Sequence, residues 1–259
     1  MIEVKALPLS NGRINYLAED LKLAQTTIFL PDFTQSVNSC VQVLAFNGYT
    51  NSYALDWRYH GLSESVGPLS VISFAQDLQE FVAAKKLQNY QIVAAGLSIF
   101  VAAKAVTQGL EPTKIIALDP RWQPDALYRQ SPIFNDFEEM VTAGQQQAAR
   151  EFEFDDYQKQ MFLNAFVADY HLTVLGYQLY ISDAQQKKFI QSLNPLSFGR
   201  QAPQLTLLMT QKTQEKIQKY PLSKLERQNY AQFTKSYVLK NTLDNLLCVT
   251  PLTVLNFIQ

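Results

Sequence analysis

The segment Gly96-Leu97-Ser98-Ile99-Phe100 presents a serine hydroxyl between a short apolar run and a helix-forming run. Gln91 to Ala95 is almost wholly apolar, as is typical of a buried parallel strand, and the alanines and valines after Ile99 favour a helix. A serine on such a turn matches the nucleophile-elbow pattern G-x-S-x-G, except that Phe100 replaces the second glycine. The chemistry indicated is attack by the Ser98 hydroxyl on an acyl group.

A serine nucleophile needs a base for its proton, an acid that orients the base, and N–H donors for the oxyanion. The chain has only two histidines, His60 and His171. His171 lies beside Tyr170 in an aromatic-rich region, so it is either a packing residue or a base that reaches Ser98. An aspartate is the other candidate base, although its ordinary pKa lies about two and a half units below that of histidine.

The composition excludes several classes of partner. With a net charge of −1 and 17% charged residues, the chain has no global field that would recruit nucleic acid or an anionic membrane. Cys40 and Cys248 lie far apart and form no C-x-x-C pair, so the sequence indicates neither a zinc site nor a disulfide framework. It also has no glycine-rich phosphate loop, so it does not indicate a nucleotide cofactor. No apolar run approaches the ~20 residues that a membrane span requires. We therefore expect a cytoplasmic protein without cofactor or metal, whose partner is small or neutral; a homo-oligomer is compatible with this.

Strand and helix patterns alternate along the first 120 residues. Two short alternating stretches joined across Ser10-Asn11-Gly12 predict a β-hairpin, and buried strands then alternate with amphipathic helices. This rhythm predicts a mostly parallel sheet, covered by helices on both faces and opened by an antiparallel hairpin. The predicted strands are 2–7, 13–19, 26–30, 52–56, 91–95 and 114–119, and the predicted helices are 39–45, 70–87 and the one that begins at 99.

The strand rhythm stops between about residues 121 and 202. Aromatic residues recur there at helical spacing, which predicts an α-helical insertion: Phe134, Phe137, Phe162, Phe166, Tyr170, Tyr177 and Tyr180. These rings are either the insertion's own core or the wall of an apolar ligand site. Strands are predicted again at 204–209 and 236–239, with helices at 223–233 and from about Pro251. The predicted organisation is a core at 1–120 and 203–259 with an insertion at 121–202.

This layout resembles the α/β-hydrolase superfamily over nearly the whole chain. The motif Asp56-Trp57-Arg58-Tyr59-His60-Gly61-Leu62-Ser63 looks like the family's D-x-R-G-H-G-x-S turn, and it precedes the elbow as in the family. The resemblance implies an α/β-hydrolase fold in which residues 121–202 form a helical cap after the sixth strand. It also implies that His60 has a structural role.

The family's base and acid positions are occupied by other residues in this chain. The base is a histidine after the last strand, where this sequence has Asp244. The acid is an aspartate after the seventh strand, where this sequence has Thr213. Asp119, at the end of the preceding strand, is the alternative acid.

The family's oxyanion donors correspond here to the N–H groups of Phe33 and Ile99. Asp32 replaces a glycine beside Phe33. If its carboxylate faces the pocket, it repels the negative charge that develops during acyl transfer; otherwise it points to solvent and accepts loop N–H groups.

Two functions remain open on the sequence. The first is a divergent α/β-hydrolase that retains Ser98 without its triad and binds a small apolar acyl or ester-type ligand, or a partner, between core and cap. The second is an active esterase, thioesterase or acyltransferase in which His171 or an aspartate activates Ser98.

Overall fold

The computed structural model describes most of the predicted core. The described residues are 1–33, 35–64, 66–68, 70–120, 142, 193, 196–199, 203–219, 222–240, 247 and 251–258. Almost all of the predicted cap, together with His171, Asp244 and Cys248, lies outside these ranges.

The core is built on one eight-stranded sheet with the strand order β1-β2-β4-β3-β5-β6-β7-β8. β1 pairs antiparallel with β2, and β2 with β4; every other neighbouring pair is parallel. The mostly parallel sheet opened by a hairpin is therefore confirmed. The strands are β1 Glu3–Leu9, β2 Gly12–Glu19, β3 Thr26–Leu30, β4 Asn51–Leu55, β5 Tyr90–Ala95, β6 Lys114–Leu118, β7 Gln204–Thr210 and β8 Lys235–Leu239.

Helices follow most of the parallel strands. The N-cap Ser70 accepts a hydrogen bond from the N–H of Ser73 at the start of the helix Val71–Ala84, as its position before the amphipathic run predicts. Ser223 forms a capping box with Glu226 at the start of the helix Lys224–Tyr230. The described helices are α1 Val41–Phe46, preceded by a 3₁₀ turn at Val37–Cys40, α2 Val71–Ala84, α3 Ser98–Thr107, α4 Gln211–Lys219, α5 Lys224–Tyr230 and α6 Pro251–Leu255.

One helix was not predicted from the sequence. Residues Gln211–Lys219 form α4 directly after β7, in a segment to which the sequence pattern assigned no element. This segment is almost entirely polar, so it lacks the apolar stripe by which the other helices are predicted.

The sheet buries both of its faces. Successive residues of β3 alternate between two apolar clusters: Ile28 and Leu30 pack with α2 and α3, whereas Phe29 packs with α1 and α6. The same alternation holds in β5 and β6, as the two-residue period of a strand requires. Within the described ranges, no helix has the length and apolar character needed to cross a membrane.

The parallel strands bring several polar residues to one edge. Asp32, Gly96, Asp119 and Thr210 lie at or just beyond the carboxyl ends of β3, β5, β6 and β7, respectively. Ligands of open α/β sheets bind outside this edge. The candidate site therefore lies at this edge of the sheet.

Candidate functional site

The turn after β5 bends at Gly96. This residue has a φ of +54°, in the left-handed region, and its N–H donates to Leu118 O at 2.9 Å. A Cβ atom at position 96 would overlap with the carboxyl group of Asp32. Glycine is therefore required both by the backbone conformation and by the space that Asp32 occupies.

Asp32 is buried against this bend. The residue is 3% exposed, and its Oδ1 atom accepts the N–H of Phe33 at 2.8 Å and the N–H of Leu97 at 2.9 Å. The sequence predicts Phe33 and Ile99 as the converging donors, whereas the donors that meet at Asp32 are those of Phe33 and Leu97. One carboxylate oxygen thus occupies the point where two N–H groups from separate loops converge.

Ser98 lies two residues beyond the bend, in the first turn of α3, and is completely buried. Its hydroxyl donates to the carbonyl oxygen of Pro31, and its Oγ accepts the indole N–H of Trp57 at 3.0 Å. In the described part of the chain, Ser98 makes no hydrogen bond to a histidine or a carboxylate. A peptide carbonyl is not a base that could take the serine proton, so this arrangement holds the hydroxyl without activating it.

Aromatic rings pack beneath the bend. The Phe33 and Trp57 rings are stacked, with centroids 6.0 Å apart and 8° between their planes, and Phe74 meets both edge-on. The His60 ring lies edge-on to Phe33, with Nδ1 2.9 Å from Arg58 O and Nε2 2.8 Å from Phe33 O. Burial lowers the pKa of His60 to about 4 despite these two carbonyl acceptors. Both ring nitrogens thus face carbonyl oxygens inside the core, and the neutral ring donates its single N–H to one of them.

The 56–63 turn is held by two buried carboxylates. Asp56 accepts hydrogen bonds from Asn15 Nδ2 and from the N–H groups of Val37 and Leu62, and burial raises its pKa to about 6 despite them. Arg58 forms a two-point ion pair with Asp77 of α2, at 2.6 and 2.8 Å, with both side chains buried. The turn is thereby fixed to β2 and α2.

A second polar group lies at the ends of β6 and β7. Asp119 Oδ1 accepts the N–H of Thr210 at 3.2 Å, and the hydroxyls of Thr210 and Thr213 are 3.1 Å apart. The structure thus brings Asp119, the alternative acid, and Thr213, which occupies the family's acid position, together through Thr210. Neither is hydrogen-bonded to Ser98.

His171 and Asp244 lie outside the described residues. Among the residues that are described, no group of three or more histidine, cysteine or acidic side chains is arranged to hold a metal ion.

Sequence reasoning missed three contributors to this site: Gly96, the Leu97 N–H and the Trp57 indole. A signal for the first was present. In Ala94-Ala95-Gly96-Leu97-Ser98, small residues flank Gly96 at the two positions where G-x-S-x-G has its glycines. The segment centred on Ser98 lacks this symmetry because Phe100 is large. The indole contact had no sequence signal, since it joins residues 41 positions apart.

No protein-family model and no curated protein matches the sequence. Solved structures do match the fold. An E-2-(acetamidomethylene)succinate hydrolase superposes with a TM-score of 0.69 at 12% identity, covering 100% of this chain and 98% of its own. An N-acyl homoserine lactonase superposes with a TM-score of 0.68 at 13% identity, covering 100% of this chain and 95% of its own. An α/β-hydrolase fold protein from Chitinophaga pinensis superposes with a TM-score of 0.63 at 12% identity, covering 100% of this chain and 96% of its own. The chain has the α/β-hydrolase fold.

Proposed function

We propose that this chain uses the α/β-hydrolase fold for binding rather than for serine hydrolysis. Its ligand is a small apolar acyl or ester-type molecule, held between the core and residues 121–202. Fold alone does not assign an activity, so the support comes from the geometry at the carboxyl edge of the sheet.

The position of Asp32 is the observation on which this proposal depends. Acyl transfer needs N–H donors that are free to bind the oxyanion, and removing one such donor typically slows catalysis about 10²–10³-fold. Here the N–H groups of Phe33 and Leu97 both donate to Asp32. A fixed negative charge at the point where an oxyanion would form opposes the reaction in a low-dielectric site.

Two further observations agree with a binding role. The Ser98 hydroxyl is directed to Pro31 O, and the residue at the bend is Gly96, which has no side chain that could attack. The family's base position after the last strand holds Asp244 instead of a histidine, which also supports a binding role because no histidine at that position can take the serine proton.

Labelling with a fluorophosphonate probe tests the proposal directly. We expect no covalent labelling and no turnover of a short p-nitrophenyl ester, by either the wild-type protein or Ser98→Ala. An active serine esterase serves as the positive control for probe and substrate.

The alternative function gives the opposite result. If Ser98 is a nucleophile, the wild-type protein is labelled and Ser98→Ala is not. Labelling that then persists in His171→Ala would assign the base to an aspartate. Labelling of the wild-type protein that is lost in Ser98→Ala would overturn the binding proposal, whichever residue is the base.

Binding itself is measured by calorimetric titration with p-nitrophenyl esters of increasing acyl length. We expect affinity to rise with acyl length, because each buried methylene contributes about 0.8 kcal/mol, while no nitrophenolate is released. Affinity that is independent of acyl length would contradict an apolar site.

A further inference from the structure

We propose that the N–H groups of Phe33 and Leu97 form an anion-binding site whose resident ligand is the carboxylate of Asp32, and that a free formate or acetate ion binds there once this side chain is removed. This inference deepens the proposed function and rests on it. It identifies what closes the site to the carbonyl group of an ester.

The donors have the geometry of an anion site. They come from different loops, Phe33 after β3 and Leu97 after β5, and they reach one oxygen at 2.8 and 2.9 Å. These distances are typical of N–H groups bonded to a charged acceptor. Both donor residues are fully buried, so bulk water does not compete for their N–H groups.

The donors are also held in position independently of Asp32. The bend before Leu97 is fixed by the hydrogen bond from Gly96 N–H to Leu118 O. The Phe33 ring is stacked on Trp57 and meets Phe74 edge-on at a centroid distance of 5.0 Å. Removing the Asp32 side chain therefore leaves both N–H groups aimed at the same point.

The space left by that side chain has the size of a small carboxylate. Gly96 contributes no Cβ, and the volume that a Cβ would take is filled by the Asp32 carboxyl group. Asp32→Ala empties this volume without adding atoms. Formate and acetate carry the same planar carboxylate as the aspartate side chain, so they are the probes that match it.

Thermal unfolding tests the inference with three proteins at constant ionic strength. In Asp32→Ala, sodium acetate or formate should raise the midpoint more than sodium chloride does, and the rise should saturate. The wild-type protein should show no such difference. Asp32→Asn is the matched control, because its amide oxygen can still accept from both N–H groups and leaves no vacancy. Equal responses in all three proteins would overturn the inference.

A second measurement covers the case in which Asp32→Ala does not fold. The amide protons of Phe33 and Leu97 are followed by NMR in the wild-type protein and in Asp32→Asn. Loss of the charged acceptor should move both resonances upfield together, and a shift of neither, or of only one, would overturn the inference.

The outcomes separate the two proposals. If acetate does not stabilise Asp32→Ala and the fluorophosphonate does not label the wild-type protein, the proposed anion site is contradicted but the proposed binding function is not. Labelling that depends on Ser98 would remove the binding function, whatever acetate does.

Discussion

At the level of single residues, the site is defined by where protons and charges are held. The Ser98 hydroxyl donates a hydrogen bond to a peptide carbonyl oxygen, that of Pro31. The Asp32 carboxylate accepts hydrogen bonds from the N–H groups of Phe33 and Leu97. Both groups are buried, so each needs these partners to offset the loss of water. The same contacts connect the loops around Ser98 to one another.

Two other buried residues have pKa shifts whose effects on stability oppose each other. Burial raises the pKa of Asp56 to about 6. The folded state therefore binds a proton more readily than the unfolded chain, and stability increases as the pH falls from about 6 to about 4. Burial lowers the pKa of His60 to about 4. The unfolded chain then binds the proton first, and stability decreases as the pH falls below about 6.5.

Asp56→Asn should remove the first of these effects and leave the second. Relative to the wild-type protein, we expect the unfolding free energy of the variant to fall by about 2 kcal/mol between pH 6.5 and pH 4, because a difference of roughly two pKa units at ~1.36 kcal/mol each takes most of its effect over this range. Urea unfolding of both proteins at several pH values measures this difference. If the two pH curves run parallel, the assignment of the raised pKa to Asp56 is wrong.

At the level of elements, three loops at the carboxyl edge of the sheet are joined by side chains rather than by strand pairing. The loop after β3 meets the turn after β5 through Asp32 and Leu97, and through Pro31 and Ser98. The 56–63 turn joins them through the Trp57 indole. A substitution in one of these loops should therefore alter the effect on stability of a substitution in another.

The pair Gly96 and Asp32 provides a direct test of this coupling. Gly96→Ala should destabilise the protein by about 2–5 kcal/mol, from roughly 1–2 for the left-handed backbone and 1–3 for overlap with the carboxyl group. In an Asp32→Gly background the overlap is gone, so the same change should cost only about 1–2 kcal/mol. Chemical denaturation of the four proteins in the cycle gives both values.

Gly199→Ala is the control for the backbone contribution. Gly199 has a φ of +70°, and the nearest atom to a Cβ there is Thr107 Cγ2 at an ordinary 3.7 Å. We expect this change to cost about 1–2 kcal/mol in either background. A Gly96→Ala cost that does not depend on Asp32 would show that the two residues are not in contact.

At the level of the whole molecule, the end of the chain completes the second apolar face of the sheet. Helix α6 packs against α1, and its Val254 and Leu255 belong to the same cluster as Phe29. Gln91 on β5 adds a hydrogen bond from Nε2 to Ile258 O at 2.8 Å. This face is therefore closed by residues that lie far apart in the sequence.

A matched pair of leucines in α6 tests the importance of this closure. Leu255 is 3% exposed and Leu252 is 61% exposed, although they lie three residues apart. Leu255→Ala should cost about 2–5 kcal/mol, whereas Leu252→Ala should change stability by no more than ~0.5 kcal/mol. Thermal or urea unfolding distinguishes them, and equal effects would contradict the packing of α6 on the core.

Local patterns in the sequence were sufficient to predict most strands of the sheet. The hairpin across Ser10-Asn11-Gly12, the short apolar runs of the central strands and the Ser70 cap each depend on residues close together in the chain, and the structure confirms all three. Helix α4 escaped prediction because its residues carry almost no apolar signal. The positions of Asp244 and His171 remain predictions.

The site was decided by contacts between distant residues. The sequence alone established that a serine follows β5 and that no histidine follows β8. Tertiary structure decided that the bend falls at Gly96, since its N–H pairs with Leu118 on the neighbouring strand. It also decided that Asp32 binds the Leu97 N–H, 65 positions away, and that Ser98 is buried under Trp57. Apart from the small residues that flank Gly96, no local pattern signals these contacts, because they depend on how strands and loops meet in space.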